Sequence, residues 1–224
     1  MAQDFERNFL TGVGTTPQDI PDGSDFNSDD TLIGIHMANT SDNAITASCF
    51  MTSSVLSYGT DFTFVVTVDG SGNFVLDGQT KPVLTLYKGF TYTFDVSNSG
   101  IASGGHVFAF ATEADGANSS AYTTGVVSSG TQGQANATIT LTTTSTTPST
   151  LYYYCTNHNS KGNSITVTNV HYIIKNAPIS QGGALQILDG GAKMVVQNGD
   201  RMFFQSNTAS SLDVWLSRVD SIST

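Results

Sequence analysis

Charge is scarce in this chain: only 12% of its residues are Asp, Glu, Lys or Arg, about half the usual share for a globular protein. Basic residues are rarest, 8 against 18 acidic ones, giving a formal charge of −10. That balance repels nucleic acid and anionic lipid and argues against a phosphate-binding role. Cysteine is limited to Cys49 and Cys155, far apart in sequence. No disulfide framework is implied, and synthesis in a reducing compartment fits. Long apolar runs are missing too. No stretch approaches the roughly 18 residues of a membrane span, and Met1 to Leu10 has neither a basic start nor an apolar run of signal-peptide type. The sequon at Asn136 is therefore read as a chance match.

In place of charge the chain has Thr, Ser, Asn and 22 Gly. Thr favours strands, and Gly and Asn favour tight turns. The expectation is an all-β protein kept in solution by hydroxyl and amide groups. At 224 residues it has room for one large domain or two small ones.

Residues 1–30 show no sustained period and are punctuated by Pro17, Pro21, Gly12, Gly14 and Gly23. They read as an N-terminal arm, either disordered or laid on a neighbouring subunit through Phe5, Phe9 and Leu10. The acidic run Asp22 to Asp30 lacks the Gly and closing Glu of a calcium loop. From Leu32 strands begin. Leu32–Ala38 and Ala44–Met51, joined by Asn39–Asn43, read as a hairpin. The texture then changes to strict alternation in Asp61–Val68, Gly72–Leu76, Val83–Tyr87 and Thr91–Val96. Further strands are expected at Gly105–Ala111, Ala137–Leu141, Leu151–Tyr154 and Ser164–Val167. That set is enough for one β-sandwich. After Thr168 the first texture returns in Val170–Lys175, Ala184–Leu188, Ala192–Gln197, Arg201–Gln205 and Leu212–Val219. Neither flank alone carries enough strands for a stable sandwich. The organisation expected is a discontinuous outer β-sandwich, residues 31–58 plus 169–224, with a second β-sandwich, residues 59–168, inserted at a loop tip.

The outer text resembles small β-sandwich structural proteins of tailed phages, of the marine-phage type. The phrases that carry this are Asp4–Thr16, Ile33–Ser41, Ile173–Leu188, Val195–Asp200 and Ala209–Trp215, about half the chain. The resemblance implies a virion component of the neck, tail or capsid surface, made in the host cytoplasm. It implies contacts with other virion proteins and with copies of itself, and weak contact of the inserted module with host surfaces or glycans. Phe203, Phe204 and Trp215 are candidates for subunit contact, with ordinary core residues as the competing reading.

One chemical constellation stands out: His106, then Cys155 and His158 in the Cys-Thr-Asn-His sequence that follows the aromatic strand Leu151–Tyr154. Together with Val83–Val96 it resembles the cupredoxin family, over residues about 61–168. That resemblance implies a cupredoxin-like fold and a His₂Cys copper site with a weak axial Met. Here Lys161 stands at the axial position. A protonated amine is a poor ligand, and its charge opposes a metal cation. The expectation is a weak or retired copper site, with Cys155 then a small buried hydrophobe. His36 and His171 read as structural or interface histidines and Cys49 as core. No hydrolase, protease, P-loop or dinucleotide fingerprint appears, and no carboxylate pair can be nominated. The reading is a non-enzymatic virion protein. The alternatives are a copper protein for electron transfer and a cell-surface adhesin, both of which would need export.

Overall fold

The computed structural model describes residues 4–20, 26, 28–53, 62–116, 121–188 and 191–220. The protein is all-β and divides into two compact units, one built from residues 1–55 and 170–224, the other from residues 56–169. The chain starts the first unit with β1 (Asp4–Val13), β2 (Gln18–Ile20), β3 (Asp30–Asn39) and β4 (Ile45–Thr52). The second unit follows with β5 (Thr63–Val68), β6 (Phe74–Leu76), β7 (Gln79–Thr80), β8 (Leu84–Tyr87) and β9 (Thr91–Asp95). After a short helix, α1 (Ser99–Ser103), come β10 (Phe108–Ala111), β11 (Val126–Ser129), β12 (Thr138–Thr142), β13 (Thr150–Cys155) and β14 (Asn163–Thr168). The first unit is then completed by β15 (His171–Ile179), β16 (Ala184–Leu188), β17 (Met194–Val196), β18 (Arg201–Ser206) and β19 (Leu212–Asp220).

In the first unit one sheet runs β1-β19-β3-β16, with β17 also on β3, and the other runs β15-β4-β18-β2. Alternation explains the layering. Leu212, Val214 and Leu216 of β19, Ile35 and Met37 of β3, Ala47 and Cys49 of β4, and Met202 and Phe204 of β18 all enter one apolar cluster. Each large side chain so buried contributes about 1.5–3 kcal/mol. β4 and β15 pair antiparallel, with Met51 opposite His171 and Ile45 opposite Ile179.

Two expectations are corrected here. Leu32–Ala38 and Ala44–Met51 do not form a hairpin, because β3 and β4 lie in different sheets. Asn39 holds the crossing: its Nδ2 donates to Asn43 O (2.7 Å) and to Ile179 O (3.1 Å), and its Oδ1 accepts from Ser41 N at 2.9 Å. Residues 4–20 are likewise no loose arm. β1 pairs with β19 from Phe5–Val219 to Leu10–Val214, and β2 pairs with β18. Most of the acidic run from Asp22 to Asp30 lies outside the described residues. Its last member, Asp30, is fully buried and pairs with Arg218, which also reaches Glu6; Arg201 pairs with Asp19. Phe203 and Phe204 are buried core, whereas Trp215 is 47% exposed.

In the second unit a four-stranded sheet, β10-β13-β14-β8, faces a six-stranded one, β11-β12-β9-β5-β6-β7. β14 runs parallel to β8, and β5 parallel to β9. β11 falls within residues 112–133, a stretch rich in Gly, Ser, Asn and Thr between the expected strands Gly105–Ala111 and Ala137–Leu141. Aromatic rings join the sheets. Phe94 of β9 packs on Phe110 of β10 (centroids 5.1 Å apart), and Phe74 of β6 packs on Phe108 of β10 (5.0 Å). Such pairs add about 0.5–1.5 kcal/mol beyond their buried area. The Asp-Gly signal is used as the sequence suggests: Asp77 (φ 48°) and Gly78 (φ 82°) make the two-residue turn between β6 and β7.

Candidate metal centre

His106 is set by a tight backbone path. Asn98 caps α1 through its side chain, which accepts from Gly100 N at 2.9 Å. Ile101 is fully buried and anchors the turn. Its carbonyl accepts from His106 N at 2.8 Å. Two glycines then make room for the ring. A Cβ on Gly104 would lie 2.5 Å from His106 Cδ2, and one on Gly72 would lie 2.9 Å from its Nε2 and Cε1. Both distances are shorter than real side chains tolerate, so glycine backbone flanks the imidazole and leaves Nδ1 to face the sulfur.

Cys155 ends β13, opposite Phe108. Thr156 N donates to Val107 O at 3.0 Å, and Val107 N points at Cys155 Sγ at 3.5 Å. The loop carrying His158 is fastened at several points. Asn157 Nδ2 donates to Gly105 O at 2.7 Å, and Ser160 N donates to Asp115 Oδ1 at 2.8 Å. Gly162 is irreplaceable, because a Cβ there would sit 1.7 Å from Tyr153 O.

These paths bring all three predicted residues together. Cys155 Sγ lies 3.5 Å from His106 Nδ1 and 3.5 Å from His158 Nδ1, and the ligand atoms all lie within 4.8 Å of one another. Metal–nitrogen bonds of about 2.0–2.1 Å and a metal–sulfur bond of about 2.3 Å, at tetrahedral to trigonal angles, put sulfur and nitrogen about 3.5–3.8 Å apart. Both sulfur–nitrogen distances therefore suit one soft or borderline metal ion. His106 and Cys155 are buried and His158 is exposed, so one ligand edge meets solvent. Burial holds the His106 pKa below the ordinary imidazole value, helped by the charges of His158 and Lys161. The lowered pKa favours the neutral ring, the form in which a ring nitrogen can ligate a metal.

Lys161 does not turn its amine into the cluster as a ligand. Its Nζ donates to Ser71 O at 2.7 Å, and its own carbonyl accepts from Phe74 N at 2.9 Å. The side chain thus ties the β5–β6 turn down beside His106. That turn is itself closed by Asp69, which accepts from Ser71 N and Asn73 N at 2.9 Å each. The sequence did not mark Ser71, Gly72 or Asp115 as parts of the site. The one available hint was the density of glycine just before His106.

The other sequence candidates lie elsewhere. His36 and His171 are exposed in β3 and β15, and Cys49 is buried core, its thiol pushed far up by that burial. No family model, curated protein or solved structure matches this chain.

Proposed function

We propose that this protein is a structural component of a tailed-phage virion, not an enzyme. The unit formed by the two ends of the chain makes the assembly contacts, with copies of itself and with other virion proteins. The middle unit is an accessory module displayed on the particle. One observation carries this reading. Every phrase with virion-protein resemblance, from Asp4–Thr16 to Ala209–Trp215, falls in the unit made of residues 1–55 and 170–224. Text from opposite ends of the chain is thereby gathered into one module, as a single inherited assembly domain would require. Mass spectrometry of purified particles tests this. The expected result is the protein at many copies per particle; its absence from washed particles would remove the reading.

A second reading is favoured by the convergence of His106, Cys155 and His158. In it the middle unit is a copper protein of the cupredoxin type. His106 and His158 through Nδ1, and Cys155 through Sγ, would hold the ion, which when bound supplies one-electron transfer. The chain's own contribution is to hold the sulfur beneath Val107 N–H and to flank His106 with glycine. Titration with Cu²⁺ tests it. An intense thiolate-to-copper absorption that disappears in Cys155→Ser supports the copper reading. Absence of that band at saturating copper refutes it.

A further inference from the structure

The sheet β1-β19-β3-β16 buries one face in the apolar cluster and turns the other to solvent. On the open face the register sets Phe9, Trp215, His36 and Gln186 side by side across four strands. Trp215 is 47% exposed, which at roughly 250 Å² for an indole side chain leaves about 120 Å² in solvent. Its ring is held in place. Nε1 donates to Ser217 Oγ at 3.1 Å, and Phe9 meets the ring at 73° with centroids 4.8 Å apart. A ring fixed in advance loses little freedom when a ligand settles on it.

Two hollows flank the ring. One, of about 360 Å³, is lined by Gly34, Ile35, His36, Gln186, Trp215 and Ser217. The other, of about 230 Å³, lies among Phe9, Thr11, His36, Ala38, Asp213 and Trp215. Trp215 and His36 line both, so the two hollows share a wall. Gly34 opens the larger one. It stands opposite Ser217 in the ladder, inside a strand, where glycine is unfavourable. β3 bulges beside it, between Gly34 and Leu32, yet Gly34 has no positive φ that would demand glycine. A Cβ there would meet Ser217 Cβ at 3.6 Å, an ordinary contact. Neither the backbone nor the packing therefore requires this glycine. A missing side chain inside a strand does let a ligand approach closely.

We propose that these hollows bind a neutral oligosaccharide, with one pyranose ring stacked on Trp215. A pyranose presents C–H groups on its face and hydroxyls around its rim, and the sheet offers partners for both. The indole takes the C–H face. The rim meets polar groups with spare capacity. Among the described residues His36 makes no hydrogen bond, Gln186 uses Nε2 alone, on Leu188 O at 3.2 Å, and Asp213 uses Oδ1 alone, accepting from Gly12 N at 2.9 Å. Gln186 Oε1, Asp213 Oδ2 and the His36 nitrogens thus supply both donors and acceptors for hydroxyls. A purely apolar ligand would leave them unpaired. Neither hollow is lined by Lys or Arg, and Arg7, on the same face, lies over the Phe9 ring at 5.6 Å. With Asp213 in one wall and a formal charge of −10 on the chain, acidic sugars are repelled. Glycan contact, which the phage resemblance implies for the middle unit, thus has its residues on the outer one.

Trp215 is the chain's only tryptophan, so its emission reads the site directly. The full chain is titrated with neutral hexasaccharides of differing linkage: cellohexaose, maltohexaose, mannohexaose and laminarihexaose. At least one should shift the emission saturably to shorter wavelength. Calorimetry with that sugar should show binding lost in Trp215→Ala and weakened about tenfold in His36→Ala, the loss of one hydrogen bond. Gly34→Val should abolish binding by filling the larger hollow, with a thermal midpoint no lower than wild type, because a β-branched residue suits a strand. A glycine kept for folding alone would instead lower the midpoint and spare binding. No response to any of the four sugars up to their solubility overturns the site, as does binding that survives Trp215→Ala or Gly34→Val. An equal response to hexagalacturonate overturns the neutral class. Emission that shifts with protein concentration in the absence of sugar gives the face to a second copy and overturns it too. The site is independent of the virion reading, which particle composition tests separately.

Discussion

Replacing Asp30 by Ala should be among the most destabilising single changes in the first unit. Asp30 is fully buried and accepts from Ser28 Oγ at 2.6 Å. Its carboxylate pairs with Arg218, whose guanidinium lies over Phe26 at 5.6 Å and is itself almost entirely buried. Truncation leaves that guanidinium with Glu6, which is partly exposed, as its remaining acidic partner among the described residues. Breaking a buried ion pair from one side costs about 3–5 kcal/mol, and the surviving Glu6 contact puts Asp30→Ala near the lower figure. The only tryptophan of the chain is Trp215, on β19, so its emission during urea unfolding reports the first unit alone. With a urea dependence of about 1.5–2 kcal/mol per molar, the midpoint should fall by roughly 1.5–2 M. Removing the stranded charge as well, in Asp30→Ala/Arg218→Met, should recover at least about half of the loss. A loss under about 1 kcal/mol for Asp30→Ala, or a double variant no more stable than the single one, would refute the claim that the uncompensated cation dominates.

Lys161→Met should bind copper more tightly than wild type and show stronger thiolate-to-copper absorption, because it removes a cation and offers a thioether; equal affinities by chelator competition would refute this. Gly162→Ala should destabilise the second unit by about 3 kcal/mol or more, whereas Gly70→Ala, whose Cβ would meet nothing within 4 Å, should stay within about 0.5 kcal/mol, both read from thermal unfolding. His106 has a depressed pKa when folded, so below the ordinary value of about 6.5 the unfolded chain takes up a proton that the folded chain declines. Stability of the second unit should therefore fall as pH drops below about 6.5, and His106→Gln should flatten that slope in thermal midpoints. Deleting residues 60–167 and closing the gap with a short Gly/Ser linker should leave a product that unfolds cooperatively by Trp215 emission; an unfolded product would contradict the nested organisation.

Strands that are buried on one side were the most legible part of the fold. Phe64 and Val66 point inward and Val65 outward along β5, which is the alternation that periodicity detects. β1 escaped because its pattern is inverted. Phe5 and Phe9 are exposed, while Glu6 turns inward to Arg218. No local rule anticipates a polar inward residue whose partner is so distant in sequence. The misread hairpin has a related cause: a turn such as Asn39–Asn43 fits both a hairpin and a crossing between sheets. The choice was made by β19 and β15, which pair with β3 and β4 respectively. At the metal centre the ligand types and their spacing were visible in sequence. The direction of the Lys161 side chain was not, since it depends on where the Ser71 carbonyl lies.

The pairing of Met51 with His171 bears on how the chain can fold. These neighbours in the β4–β15 ladder are separated by about 120 residues, and closing a flexible loop of that length costs about 2 kcal/mol more than closing one of about ten. A middle unit that folds first, with its two ends close together, turns this distant contact into an effectively local one. The outer unit would then be kinetically subordinate to its guest: slow to form while the middle of the chain is still a coil, and quick once it is not. A destabilised middle unit, such as that of Gly162→Ala, would then delay β4–β15 pairing without touching a single residue of either strand.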